Sequence, residues 1–320
     1  MITWKIGDFV DMRNGYGEAL LQIGREREDV IVLDSDLQRS NKTYSYGQEH
    51  PELFFDMGIA EADMISTAAG MSSMGFAVFA TSFAMFLPGR CYDQIRLQVA
   101  YAESNVKLAG VSAGLTQGPD GASHQSLDDV ALMRQLPNMT VVVPADAEEA
   151  YQAVLACVND EKPYYLRISR YPGQIIFDNE YKFTVGKATV LRLGQDVTLF
   201  ATGIMVAKAL EAAELLSQEG ITTTVLNVST IKPLDTVAVI QHSVGKRGVF
   251  SVEEHSILGG LGSAVAETLA EQPNTPPLVR IGVKDTFGQS ATADELLDYY
   301  GLTPAKIHAQ ILETLAGISK

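Results

Sequence analysis

Glu61 heads the stretch Glu61-Ala-Asp-Met-Ile-Ser-Thr-Ala-Ala-Gly-Met, which has helical apolar spacing and follows Phe54-Phe-Asp-Met-Gly-Ile-Ala. A carboxylate in that place can complement the positive end of the helix dipole. Among small and apolar neighbours it can instead share a proton with a bound group. Phe83 and Phe86, three residues apart in Phe79-Ala-Thr-Ser-Phe83-Ala-Met-Phe86, are either a core pair or an aromatic face for a flat heteroaromatic ring. They precede a helix that carries Tyr92, Asp93 and Arg96. Further on, Ser112-Ala-Gly-Leu-Thr-Gln-Gly-Pro-Asp120-Gly-Ala-Ser-His124-Gln sets an Asp and a His four apart in a Gly-rich loop. Pro-Asp-Gly is also a common turn sequence.

These residues need a frame to bring them together. Val30-Ile-Val-Leu33, Val106-Lys-Leu-Ala-Gly-Val111 and Thr140-Val-Val-Val143 read as strands, while 15–27, 61–73, 127–135 and 147–158 read as helices. The alternation predicts an α/β protein with mostly parallel sheets. Asp146 is the expected N-cap of the helix that follows it. Over 169–184 the pattern lapses into Arg-Tyr-Pro-Gly and Asp-Asn-Glu-Tyr, and a linker is expected there. Strand-like runs at 196–201, 222–228, 247–252 and 278–283 then open a second series. The reading is two doubly wound domains, 1–175 and 183–320.

A chain of 320 residues is long enough for two domains with cores of their own. The net charge of −15, with no basic stripe, argues against a nucleic acid partner. No stretch approaches the roughly 18 consecutive apolar residues of a membrane-spanning helix. Met1-Ile-Thr-Trp-Lys5 shows no secretory signal, so a soluble cytoplasmic protein is expected. Cys91 and Cys157 fit neither a metal pattern nor a disulfide framework and are expected to be buried thiols.

Gly-Ile-Ala-Glu61, Thr-Ser-Phe83-Ala-Met-Phe86, Gly-Arg-Cys-Tyr-Asp-Gln-Ile-Arg96, Asp120-Gly-Ala-Ser-His124-Gln and Leu-Pro-Asn-Met-Thr-Val-Val-Val-Pro-Ala-Asp146 occur in an order and spacing that resembles the transketolases. Val252-Glu-Glu-His255 followed by Gly259-Gly-Leu-Gly-Ser-Ala-Val is similar to the C-terminal domain of transketolases and of 2-oxoacid dehydrogenase β subunits. The resemblance implies a pyrimidine-binding domain, a C-terminal domain and a thiamin diphosphate cofactor. Glu61 would bond a ring nitrogen of the cofactor's aminopyrimidine and so activate the cofactor. Phe86 would stack on that ring with Phe83 beside it, and Asp36 would lie near the cofactor and a subunit interface. Arg13, Ser40 and Arg170 match residues that hold a sugar's terminal phosphate, and guanidinium groups suit that geometry. The bland reading of each arginine is a weak surface ion pair. Asp120 would contact substrate hydroxyls and His124 the reacting centre.

Two positions depart from the family. Ser112 stands where a histidine is usual in the anion pocket, and Pro119 replaces an acidic residue before Asp120. A phosphorylated, sulfonated or branched sugar is the expected substrate class. The Gly-Asp-Gly segment with a downstream Asn, by which full-length members hold the diphosphate and its metal, does not occur in this sequence. The expectation is therefore that Mg²⁺ (or Ca²⁺) is held by a separate N-terminal subunit in an α2β2 assembly, with no metal ligand in this chain. A 2-oxoacid dehydrogenase β subunit or a 1-deoxyxylulose-phosphate synthase relative would also keep Glu61. A scaffold subunit without catalysis would have lost it. A nucleotide module, suggested by Gly259-Gly-Leu-Gly, lacks the last glycine of Gly-x-Gly-x-x-Gly because Val265 stands there.

Overall fold

The computed structural model describes residues 4–273 and 275–318, so Met1–Thr3, read above for a targeting signal, lie outside the described residues. The strands are β1 (Phe9–Asp11), β2 (Val30–Asp34), β3 (Phe54–Asp56), β4 (Ala77–Phe83), β5 (Val106–Val111), β6 (Thr140–Val142) and β7 (Tyr164–Ile168) in the first half of the chain. They continue with β8 (Pro172–Gln174), β9 (Thr189–Arg192), β10 (Val197–Ala201), β11 (Thr223–Asn227), β12 (Thr230–Lys232), β13 (Gly248–Ser256) and β14 (Leu278–Val283). A seven-stranded sheet runs β12-β6-β7-β5-β4-β2-β3, and a five-stranded sheet runs β14-β13-β10-β11-β9. Every pairing in the larger sheet is parallel except β12 with β6, and in the smaller sheet only β9 is antiparallel. This is the α/β architecture of two parallel-dominated sheets.

The run of apolar residues in each central strand follows from burial on both faces. Val30 and Val32 point into one core, with Tyr16 and Leu20 of the helix Met12–Glu26, while Ile31 and Leu33 point into the other, with Met64 and Ile65 of the helix Glu61–Ser72. Phe79 against Val78 and Ala80, and Ala109 against Leu108, repeat the alternation. Helices Met12–Glu26 and Ala147–Val158 share a face of the larger sheet. They meet so closely at Gly15 that a Cβ there would lie 2.0 Å from the Ala147 carbonyl oxygen. Asp146 caps the second of them by accepting from Glu149 N at 2.8 Å, a contact worth about 1 kcal/mol.

Two features differ from the sequence reading. The segment 169–184 is not wholly irregular, because β8 within it pairs antiparallel with β1. The two sheets also share chain, since β12 leaves the second series to pair with β6, Thr230 opposite Val142. Three-residue strands carry too little periodicity to announce themselves, and their partners decide them. No helix among the described residues is long and apolar enough to cross a membrane. Cys91 and Cys157 are both free and buried.

Candidate active site

A doubly wound sheet gathers its loops beyond the C-terminal ends of its parallel strands. Across the neighbours β7, β5, β4, β2 and β3, those ends lead to Arg170, Ser112, Phe83, Asp36 and, after a short loop, Glu61. Candidates scattered over the sequence thus stand along one edge of one sheet.

Glu61 is the first residue of its helix and only 4% exposed. Its Oε1 accepts from Arg90 Nη1 at 3.0 Å, and the Arg90 guanidinium carbon sits 4.0 Å from the centre of the Phe86 ring. Phe83 ends β4, and a turn in which Phe86 N donates to the Phe83 carbonyl at 2.9 Å brings the second ring beside the first. Their centroids are 6.0 Å apart and the planes 24° from parallel. Phe83 is buried while Phe86 is half-buried, so the pair lies at the edge of the core rather than inside it. The His124 ring meets both edge-on, 5.2 Å from Phe86 and 6.4 Å from Phe83. Its Nδ1 is 3.0 Å from Ser123 Oγ. Glu61, Phe83, Phe86 and His124 therefore form one cluster, joined through Arg90.

Arg13 and Ser40 also come together, but through the Ser40 backbone. Arg13 Nη1 donates to the Ser40 carbonyl oxygen at 3.0 Å, while Nε and Nη2 donate to the two carboxylate oxygens of Asp11 at 2.9 and 2.6 Å. The side chains of this pair are 14% and 20% exposed, so much of the guanidinium edge already faces a carboxylate. Arg170 Nη1 donates to Gln117 Oε1 at 3.3 Å and lies 3.5 Å from Asp120 Oδ2, which accepts from Gln117 Nε2 at 2.7 Å. The β1–β8 ribbon sets Asp11 opposite Pro172 and so places Arg13 and Arg170 on neighbouring segments. Their partners differ, Asp11 and Ser40 for Arg13 against Gln117 and Asp120 for Arg170.

Ser112 and Asp36 both adopt left-handed backbone, φ 59° and 61°, just past β5 and β2. Such conformations in non-glycine residues concentrate where a loop is held against a site. The Ser112 hydroxyl is enclosed and has no hydrogen-bond partner among the described residues. Asp36 is exposed, and its N–H donates to Asp56 Oδ1 at 3.0 Å.

Sequence reasoning missed Arg90, Asp11 and Gln117, each the direct partner of a residue it singled out. Arg90 lies inside the quoted Gly-Arg-Cys-Tyr segment, Asp11 stands two residues before Arg13, and Gln117 three before Asp120. That short spacing is the signal that was available for Asp11 and Gln117. At the other glycine-rich stretch, the backbone N–H groups of Leu261 and Gly262 donate to Glu253 Oε2 and Oε1 at 2.7 and 2.8 Å. A Cβ on Gly260 would lie 2.0 Å from Glu253 Oε2. The chain's own carboxylate fills the place a nucleotide phosphate would need. Among the described residues no three His, Cys, Asp or Glu side chains gather to hold a metal.

Comparison with known proteins identifies the family and the fold. Residues 8–173 match the family model for the transketolase pyrimidine-binding domain, and residues 186–307 match that for the transketolase C-terminal domain. A solved structure described as a split gene transketolase, inactive beta4 tetramer, superposes with a TM-score of 0.89 at 43% identity, covering 96% of this chain and 99% of that one. The chain is 42% identical to the 6-deoxy-6-sulfo-D-fructose transketolase subunit of Clostridium sp. (strain MSTE9), over 92% of each. It is 34% identical to a subunit of the apulose-4-phosphate transketolase of Phocaeicola vulgatus, over 96% of this chain and 98% of the relative. The chain belongs to the transketolase family and carries its pyrimidine-binding and C-terminal domains.

Proposed function

We propose that this chain is the C-terminal subunit of a two-chain transketolase that moves a two-carbon ketol unit from an anionic ketose to an aldose. The observation that carries the reading is the Glu61–Phe86 pair, a buried carboxylate and an aromatic face that together hold one flat, N–H-bearing group, now the Arg90 guanidinium. A carboxyl that can share a proton with a ring nitrogen, beside a flat aromatic face, is what an aminopyrimidine needs, so the residues fit thiamin diphosphate. When bound, the cofactor supplies the nucleophilic carbon that takes up the transferred unit. Glu61 holds the proton shared with the pyrimidine ring, and Phe86, with Phe83 beside it, fixes the ring plane. Asp36 belongs to the rim that faces the cofactor and the partner. His124, edge-on to both rings, moves a proton at the substrate oxygen nearest the reacting carbon. Asp120 orients substrate hydroxyls, while Arg13, Ser112 and Arg170, with Ser40, receive the far end of the sugar.

The diphosphate and its Mg²⁺ or Ca²⁺ are assigned to a separate N-terminal chain, in an α2β2 arrangement in the cytoplasm. The split gene transketolase solved as a β4 tetramer is described as inactive, which supports the need for a second kind of chain. The names of the sulfofructose and apulose-phosphate relatives support an anionic sugar.

The test is co-expression with a diphosphate-binding transketolase partner, followed by thiamin-diphosphate-dependent transfer assays on phosphorylated and sulfonated ketoses. Ketol transfer that needs both chains and the cofactor is the expected result. A complex that binds the cofactor yet transfers from no ketose, or that joins pyruvate to an aldehyde instead, overturns the proposal.

A further inference from the structure

Arg90 closes the four-residue helix Leu87–Arg90 and has no place in the reading above. Its guanidinium spans the two groups that reading assigns to the pyrimidine, stacked on Phe86 and bonded to Glu61. A guanidinium is flat, positively charged and edged with N–H donors. An aminopyrimidine that stacks on Phe86 and shares a proton with Glu61 through a ring nitrogen would set a flat face and a hydrogen-bonding edge against the same two partners. One ring face and one carboxylate oxygen cannot serve both at full occupancy. The two groups also differ in their freedom to leave, since the side chain of Arg90 is 50% exposed and that of Glu61 only 5%. The arginine can swing into water at little cost, whereas the glutamate stays where its helix puts it.

We infer that Arg90 is a displaceable gate of the cofactor seat: in the chain by itself its guanidinium occupies the place of the aminopyrimidine, and seating the cofactor requires that it leave. The inference rests on the assignment of Glu61 and Phe86 to the pyrimidine. In the isolated subunit it gives the buried Glu61 carboxylate a hydrogen-bond partner. It also makes Arg90 a positioning residue that acts through Glu61, setting how tightly and how fast the cofactor is taken up.

The experiment is calorimetric titration of thiamin diphosphate with Mg²⁺ into the chain assembled with its diphosphate-binding partner, comparing wild type with Arg90→Met and Arg90→Lys. Methionine keeps an apolar stem but cannot pair with Glu61, and about tenfold tighter binding is expected, the scale of one cation–π contact plus one half-exposed ion pair. Lysine keeps the charge but not the plane, and should fall between the two. Equal affinity for wild type and Arg90→Met overturns the gate, and weaker binding by Arg90→Met makes Arg90 a cofactor ligand instead. A readout independent of affinity is the Arg90 Nε–H resonance. It should be ring-current shifted by Phe86 in the isolated chain and move to a solvent-like position in the loaded complex. A resonance that keeps its shift in the loaded complex also overturns the gate. A wild-type complex that takes up no thiamin diphosphate at all sinks the pyrimidine assignment, and the gate with it.

Discussion

Glu61 and Glu253 are both buried carboxylates at the N-terminus of a helix, and they are held in opposite ways. Glu253 accepts from two backbone N–H groups of the helix Leu261–Ala270, a fixed pair of donors that its own fold supplies. Glu61 heads the helix Glu61–Ser72 and has as its partner a single half-exposed arginine that arrives from another segment. The first arrangement saturates the carboxylate and closes the site. The second compensates the charge while leaving the partner free to go. Glu149 and Glu254 side with Glu253: Glu149 accepts from Ala145 N, Tyr181 Oη and Asn227 Nδ2, and Glu254 accepts from Thr116 N. These acceptors tie the first half of the chain to the second. A buried carboxylate bonded by backbone groups and packed side chains serves the fold, and one whose bond comes from a half-exposed, displaceable side chain is available to a ligand.

The largest expected effect separates the two classes. Glu61→Gln should lower ketol transfer by the assembled enzyme at least about a thousandfold, roughly 4 kcal/mol of barrier. It should cost under about 1 kcal/mol of stability, because the ion pair it loses is half open to water. Steady-state turnover beside a thermal melt checks both halves. A Glu61→Gln enzyme within tenfold of wild type would remove Glu61 from the chemistry. Glu253→Ala should do the reverse, stranding two helix N–H groups and destabilising the chain by about 3 kcal/mol. Turnover per folded molecule should survive. Denaturant unfolding followed by far-UV circular dichroism reads the loss, and an unchanged midpoint would break the comparison.

How far these roles were legible depended on the distance over which each is decided. Strand runs such as Val30–Leu33 are apolar because both faces are covered, so composition alone announced them. Strand β12 was silent, because only its pairing with β6 makes it a strand. Likewise Glu61, Phe83, Phe86 and His124 stood out by type and spacing. Arg90 did not, since nothing in the chain says that a side chain 29 residues away will reach Glu61. The expected helix bearing Tyr92, Asp93 and Arg96 does form, but from Ile95 to Tyr101 it takes the wider π geometry. That variant is common beside functional sites and has no short-range sequence mark.

The closed class carries a pH signature that sharpens the contrast further. Burial pushes Glu149 up to about 7 from an ordinary 4.5, and burial does the same to Glu253 and Glu254. The folded chain then keeps protons that the unfolded chain releases, so this stability is complete below about 4.5 and is lost as pH rises through 7. His255, pushed down to about 4 by burial, works in the opposite direction below its ordinary 6.5. A difference curve removes that overlap. The melting temperature of Glu149→Gln minus that of wild type should rise from pH 5 to about pH 7 and level off above it, by about 2 °C for each kcal/mol recovered. A flat difference would mean that Glu149 is charged in the fold and does not belong with Glu253.

Asp11 falls between the two classes, and it carries the smallest predicted effect. Its carboxylate is partly exposed and occupies two N–H groups of Arg13, the arginine proposed to meet the far end of the sugar. With Asp120 placed likewise against Arg170, the two guanidinium groups of the proposed anion pocket face two carboxylates. Such a pocket opposes a phosphate dianion more than it opposes a sulfonate monoanion, because each carboxylate repels the dianion about twice as strongly. Asp11→Asn keeps the N-cap of the helix Met12–Glu26 and frees the Arg13 charge. The KM for a phosphorylated ketose should therefore fall about three- to tenfold relative to that for a sulfonated one, the scale of about 1 kcal/mol of differential charge interaction. Initial-rate assays on each ketose separately, for wild type and Asp11→Asn, give the two KM values whose ratio is compared. If the ratio does not move, Arg13 is committed to Asp11 and Ser40 as a structural clasp, and the anion is received by Arg170 without it.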